Sequence, residues 1–158
     1  MGQAGNELLL GEHRELIIDT LDLLYCRHPM AVHYALAIGN RLAGQALFLR
    51  KDEIEEVLAQ NLDSARKLAE RIAELDGAVT GDSATLAERG GVGPFELPNC
   101  SDLSAILAVR LDAVRATIRA YRDALATTQG DELSSQLLLK LVRLEIARES
   151  ELESVVPS

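Results

Sequence analysis

The sequence predicts an all-α protein built as an antiparallel four-helix bundle with one long crossover. Three observations carry this expectation. Aromatic residues make up only 3% of the 158 residues and Trp is absent, so a strand-built sandwich lacks its usual material. Leu, Ala, Glu and Arg dominate instead, and all are good helix formers. Glycine and proline gather in one stretch, with Gly77, Gly81, Gly90, Gly91, Gly93, Pro94 and Pro98 all falling within 77–101. On either side run long segments with few breakers, where apolar residues recur at alternating steps of three and four. The length suits a single domain over 1–158.

The first long helix is expected over 14–47, with residues near 6–13 forming a separate frayed turn. Its seam is Leu21, Leu24, His28, Ala31, Ala35, Ile38 and Leu42. Pro29 lies inside it, removes a backbone donor, and is expected to kink or split it. A short break near Arg50-Lys51-Asp52 follows, where Asp52 with Glu55 forms a capping box that opens a second helix over 53–76. That helix has the clearest period: Ile54, Leu58, Asn61, Ala65, Leu68, Ile72 and Leu75. The connection 77–101 is long enough to run the length of a bundle and is expected to hold one short helix after Ser83. Ser101 caps a third helix over 102–128, with the seam Leu107, Leu111, Val114, Ile118, Tyr121 and Leu125. Gly130-Asp131 breaks the chain before a fourth helix over 131–155, whose seam is Leu138, Leu141, Glu145, Arg148, Leu152 and Val155. Short connections make the first and second helices, and the third and fourth, antiparallel hairpins.

Charge and composition exclude several functions. The net charge is −9, from 25 acids against 16 bases, and Lys occurs only at 51, 67 and 140. A polyanion would be repelled, and there is neither a basic arm nor an aromatic stacking surface, so no nucleic-acid partner is expected. The stripe Arg115, Arg119 and Arg122 reads as solvated or subunit-facing. No apolar run approaches the ~20 residues that span a bilayer, and no secretory leader opens the chain. A cytoplasmic protein without a membrane partner is therefore expected. Cys26 and Cys100 match no metal or redox spacing and read as buried small hydrophobes. His13 reads as solvated and His33 as a surface or satisfied histidine. Cys26 neighbours His28 in sequence without the geometry of a nucleophile and its base. Gly90-Gly91-Val92-Gly93 follows no strand and lacks a Lys-Ser/Thr ending, so it reads as a loop and not a phosphate cradle.

Four polar residues interrupt the apolar seams near mid-helix: His28, Asn61, Glu145 and Arg148. Burying them unpaired is costly, so they are expected to meet one another. Three readings follow from the sequence. The first is a structural layer in which Glu145 pairs with Arg148 and His28 bonds to Asn61. The second is a residual metal or ligand site, and the third a shifted register that turns some of these residues to solvent.

From Glu15 to Val155 the chain resembles the ferritin-like superfamily, near its Dps-like and bacterioferritin-like branches. The stretches that carry the resemblance are 64–75 (Ser-Ala-Arg-Lys-Leu-Ala-Glu-Arg-Ile-Ala-Glu-Leu), 118–122 (Ile-Arg-Ala-Tyr-Arg) and 144–153 (Leu-Glu-Ile-Ala-Arg-Glu-Ser-Glu-Leu-Glu), together with the long middle crossover. The resemblance implies a ferritin-like bundle topology. It also implies a di-iron centre taking one Glu from each of two helices and Glu-x-x-His from each of the other two. Carried onto this chain, those positions fall at His28, at Asn61 and Ser64, at Val114, and at Glu145 and Arg148; only Glu145 keeps the ligand type. The Dps-type intersubunit site would keep its Glu at Glu70, with its Asp at Arg66 and its histidines at Lys51 and Gly39. Glu145, His28 and Glu70 are thus the metal candidates, and no catalytic residue is assigned. The implied function is an oligomeric structural or binding module of the iron-storage and oxidative-stress lineage, without a working intrasubunit ferroxidase centre. No cofactor is expected, with iron left open. The expected partner is a second copy of the chain, in a dimer through the first two helices or in a larger cage. The alternatives are an active iron-binding or storage metalloprotein with a relocated site, and a small-ligand or haem binder at a subunit interface using Met30.

Overall fold

The computed structural model describes residues 13–41, 47–90 and 103–155. Among these residues there are five helices and no strand: α1 (Arg14–Arg41), α2 (Leu47–Glu74), α3 (Ser83–Arg89), α4 (Leu103–Thr127) and α5 (Glu132–Val155). None of them is long and apolar enough to cross a membrane.

Helix α1 packs on α2 and α4, α5 packs on α4 and α2, and the short α3 lies against α1. Contacts at the helix ends set the directions. Arg14, at the start of α1, donates through Nη1 to the carbonyl of Leu75 just past the end of α2, at 2.6 Å. Arg71, near the end of α2, reaches Asp131 and Ser134 at the start of α5. Every adjacent pair is therefore antiparallel, and α2 and α4 finish at the same end of the bundle. The chain after Glu74 must travel back along the whole length of α4, about 37 Å for 25 helical residues, before α4 can begin. This is the geometric reason for the long crossover.

Among the described residues, two apolar clusters hold the bundle. The larger joins Ile17, Leu21 and Leu24 of α1, Leu68 and Ile72 of α2 with Leu75, Tyr121 and Ala124 of α4, and Leu138, Leu141 and Val142 of α5. The smaller, toward the other end, is Leu107, Leu111 and Leu152 with Val114 against it. The alternating seams thus face inward where the side chains are described, except that Val155, the last residue of α5, is exposed.

Several boundaries differ from the sequence expectation. Helix α2 starts at Leu47 and passes through Arg50-Lys51-Asp52 without a break, so Asp52 does not open it. No Gly or Pro lies between Leu47 and Glu74, and two acidic residues do not by themselves stop a run of helix formers. Helix α1 is described over Arg14–Arg41; residues 42–46 of the expected 14–47 helix, including the seam residue Leu42, lie outside the described residues. Pro29 does not split α1, which continues through it. The lost backbone bond is offset by the burial of Leu21, Leu24 and His28 just before it. The short helix spans Ser83–Arg89 and is capped by Asp82, whose carboxylate accepts from the Thr85 backbone N–H at 2.9 Å. The frayed turn before His13, Cys100, the Ser101 cap and Gly91-Val92-Gly93 lie outside the described residues.

Helix α2 closes with a left-handed turn. Asp76 has φ 61, the Gly77 N–H donates to Ile72 O at 2.9 Å, and the Asp76 N–H donates to Ala73 O at 3.0 Å. Gly77 is needed for space: a Cβ there would stand 2.8 Å from Ile18 Cγ2. The start of the crossover is then pinned by Asp22 of α1. Its carboxylate accepts from the Thr80 N–H at 2.8 Å, the Thr80 hydroxyl at 2.6 Å and Arg89 Nε at 3.0 Å.

Candidate functional site

Between the two apolar clusters the four long helices line a partly open cavity of about 200 Å3. Its walls bring together His28, Asn61, Val114, Glu145 and Arg148, five of the six positions singled out in the sequence. The sixth, Ser64, is buried but does not line it. Most of the remaining wall is Ala and Val, with Arg27, Arg110 and Thr117 among the polar additions.

Each polar side chain owes its place to the seam spacing. On α1, His28 is 1% exposed and both of its ring nitrogens are engaged. Nδ1 lies 2.8 Å from Asn61 Oδ1, and Nε2 lies 2.7 Å from the Tyr121 hydroxyl. The Asn61 amide donates to its own helix at Val57 O, 2.8 Å away, which turns its Oδ1 toward the histidine. Nδ1 therefore carries the proton, and the Tyr121 O–H donates to Nε2. This relay satisfies a neutral imidazole at both ends. Burial pushes its pKa down to about 4, only partly opposed by the Asn61 bond, and nearby Arg27 pushes the same way.

The carboxylate of Glu145 faces the opposite problem. Burial raises its pKa to about 7, with Arg148 and Arg27 pulling down. The expected ion pair between Glu145 and Arg148 does not form. Arg148 instead donates through Nη2 to Gln60 of α2 at 2.8 Å, while its Nη1 lies 3.9 Å from Glu151. Three residues along a helix put the two side chains on one face, but the long Arg side chain reaches across to α2. Its Nε and Nη1 are buried with no hydrogen-bond partner. Arg27 approaches from α1 and donates to Thr117 at 3.4 Å; burial lowers its pKa below the ordinary Arg value.

Glu70 is far from this chemistry. It is an exposed residue of α2 paired with Arg66 at 2.6 Å, and Arg66 also binds Asp63 at 2.7 Å. The structure does not bring Glu70 together with Glu145 and His28. Among the described residues no three His, Cys, Asp or Glu side chains converge in a metal-binding group. His13 and His33 are exposed, and Cys26 is fully buried with its thiol pKa raised by burial. Arg115 of the basic stripe turns back onto α5, reaching Glu149 at 3.1 Å and Glu153 at 2.8 Å; Arg119 and Arg122 are exposed.

Sequence reasoning missed Arg27, Arg110 and Thr117 as wall residues because they flank the seam and do not lie in it. It also placed Tyr121 as a purely apolar seam residue; the signal was its hydroxyl, which requires a partner when buried. Two ion pairs went unseen: Asp22 with the half-buried Arg89, and the buried pair of Arg71 with Asp131 at 2.8 Å, between residues 4% and 0% exposed.

Residues 15–157 match the ferritin-like domain family. The chain belongs to the ferritin-like family. No curated protein sequence matches this ferritin-like chain. Solved structures share its fold. A DPS protein from Vibrio cholerae O1, described as a member of a broad superfamily of ferritin-like diiron-carboxylate proteins, is similar with a TM-score of 0.82 and 16% identity over 91% of each chain. Dps from Staphylococcus aureus is similar with a TM-score of 0.82 and 14% identity, over 90% of this chain and 95% of that one. A bacterioferritin from Desulfovibrio desulfuricans, described by its diiron site, is similar with a TM-score of 0.68 and 19% identity, over 90% of this chain and 78% of that one. Identities this low carry the ferritin-like fold, and the site must be argued on its own residues.

Proposed function

We propose that this ferritin-like protein descends from the iron-storage and oxidative-stress lineage but has no working intrasubunit ferroxidase centre. It acts instead as a cytoplasmic, homo-oligomeric structural or binding module. The observation that carries this reading is the cavity wall: Glu145 is the one carboxylate that lines it, and Arg27 and Arg148 line it beside Glu145. A di-iron centre needs several hard anionic oxygens and free imidazole nitrogens to offset its charge. Here the one imidazole spends both nitrogens on Asn61 and Tyr121, and fixed guanidinium groups stand where cations would have to sit. The residues do not fit the metal pair, and no reaction is routed through it. A relocated site draws no support from Glu70, which is held by Arg66.

Self-association is supported by large apolar side chains left exposed on the helices, among them Leu16 and Leu23 of α1 and Leu62 of α2. Ferrous iron titration with oxygen-consumption and metal analysis tests the first part. The expected result is no rapid oxidation and no stoichiometric iron; fast oxidation with tight iron binding overturns it. Sedimentation velocity tests the second, with a defined oligomer expected and a monomer at high concentration overturning it.

A further inference from the structure

We propose that the cavity between the four long helices binds a small amphipathic monocarboxylate, its carboxylate against Arg148 and its apolar tail along the Ala and Val wall. The inference rests on the reading above, that the cavity holds no metal pair. Arg148 is the first observation. Its side chain is 8% exposed, yet Nε and Nη1 have no hydrogen-bond partner, and the nearest acid, Glu151, is 3.9 Å from Nη1. Leaving a buried cationic donor unpaired is costly, so a buried guanidinium in this state is primed for an anion. The wall is the second observation. Ala31, Val57 and Val114 line the same space as Arg148, which favours an anion with an apolar body over a strongly hydrated inorganic one. Size is the third: about 200 Å3 exceeds the ~150 Å3 cavity known to admit benzene, which suits a tail of hexanoate's length.

The charge balance agrees. The chain as a whole repels anions at −9, but Arg27 and Arg148 both line the cavity beside Glu145. With its pKa near 7, Glu145 holds only part of a negative charge at neutral pH and, when protonated, can donate its O–H to a carboxylate.

Hexanoate, hexan-1-ol and acetate serve as probes, titrated calorimetrically into the full chain. In parallel, the Nε–H signals of 15N-arginine-labelled protein are followed by NMR, with Arg148 assigned through Arg148→Lys. The expected result is one hexanoate per chain, bound at least about tenfold tighter than hexan-1-ol or acetate, with the Arg148 Nε–H signal shifted. Arg148→Met is expected to weaken hexanoate at least about tenfold, while Arg143→Met at an exposed position leaves it unchanged. Hexan-1-ol binding as tightly as hexanoate, no hexanoate binding at millimolar concentration, or an Arg148 signal that does not move each overturns the proposal. If Arg148→Met does not fold, the wild-type Nε–H shift alone decides. Failure here is separable from failure of the parent reading: iron that binds and oxidises rapidly overturns both, whereas absent hexanoate binding with absent iron oxidation overturns only this proposal.

Discussion

His28 and Glu145 face one cavity with pKa values moved in opposite directions, and this sets the pH behaviour of the site. For His28, a folded pKa of about 4 against the ordinary 6.5 means that its contribution is fully present above 6.5 and is lost as pH falls toward 4. For Glu145, a folded pKa of about 7 against the ordinary 4.5 means the reverse: its contribution is present below 4.5 and lost as pH rises toward 7. Between 4.5 and 6.5 the two slopes, about 1.4 kcal/mol per pH unit each, oppose and largely cancel. Glu145→Gln removes one of them. Its stability is expected to fall by about 3 kcal/mol relative to wild type's change over pH 6.5 to 4.5, read by urea unfolding at each pH. A variant as flat as wild type over that window contradicts the assignment. The sequence marked both residues because each breaks an apolar period. It did not show the direction of Arg148 or the Tyr121 hydroxyl bond, since both depend on which neighbouring helix lies within reach.

At the scale of elements, helix ends were harder to read than helix faces. The seams were legible because period is a property of the chain itself, and residues such as Leu68, Ile72, Leu138 and Leu141 are buried as spaced. The α2 start was not, because Asp52 and Glu55 match a cap by type while the preceding residues continue the helix. The other end of α2 carries a non-glycine residue in the left-handed region, Asp76 at φ 61. Asp76→Gly is expected to raise stability by about 1 kcal/mol, measurable as a higher urea midpoint at unchanged slope. The junction of α2 with α5 depends on Arg71, which donates through Nη2 to both Asp131 oxygens and through Nε to Ser134 at 3.0 Å. Asp131→Ala leaves the buried Arg71 with only the half-exposed Glu74, 2.8 Å from its Nη1, as a carboxylate partner and is expected to cost about 3 kcal/mol. Adding Arg71→Met should restore a large part of the loss, and equal stability of the single and double variants would show that the buried charge is not the cause.

For the molecule as a whole, the topology follows from direction: once α2 and α4 finish at the same end, a long return is unavoidable, and the Gly- and Pro-rich stretch marked it in the sequence. The site at the middle was only half legible, since its seam residues were named but not Arg27 and Arg110, which join Arg148 in the wall. Among the described residues, two apolar clusters flank a space filled by neither. The cavity is the joint between them. Anything that fills it splices the two clusters into one cooperative unit, so occupancy of the centre would be felt as stiffness at the far end of α4 and α5, well away from any atom the occupant touches.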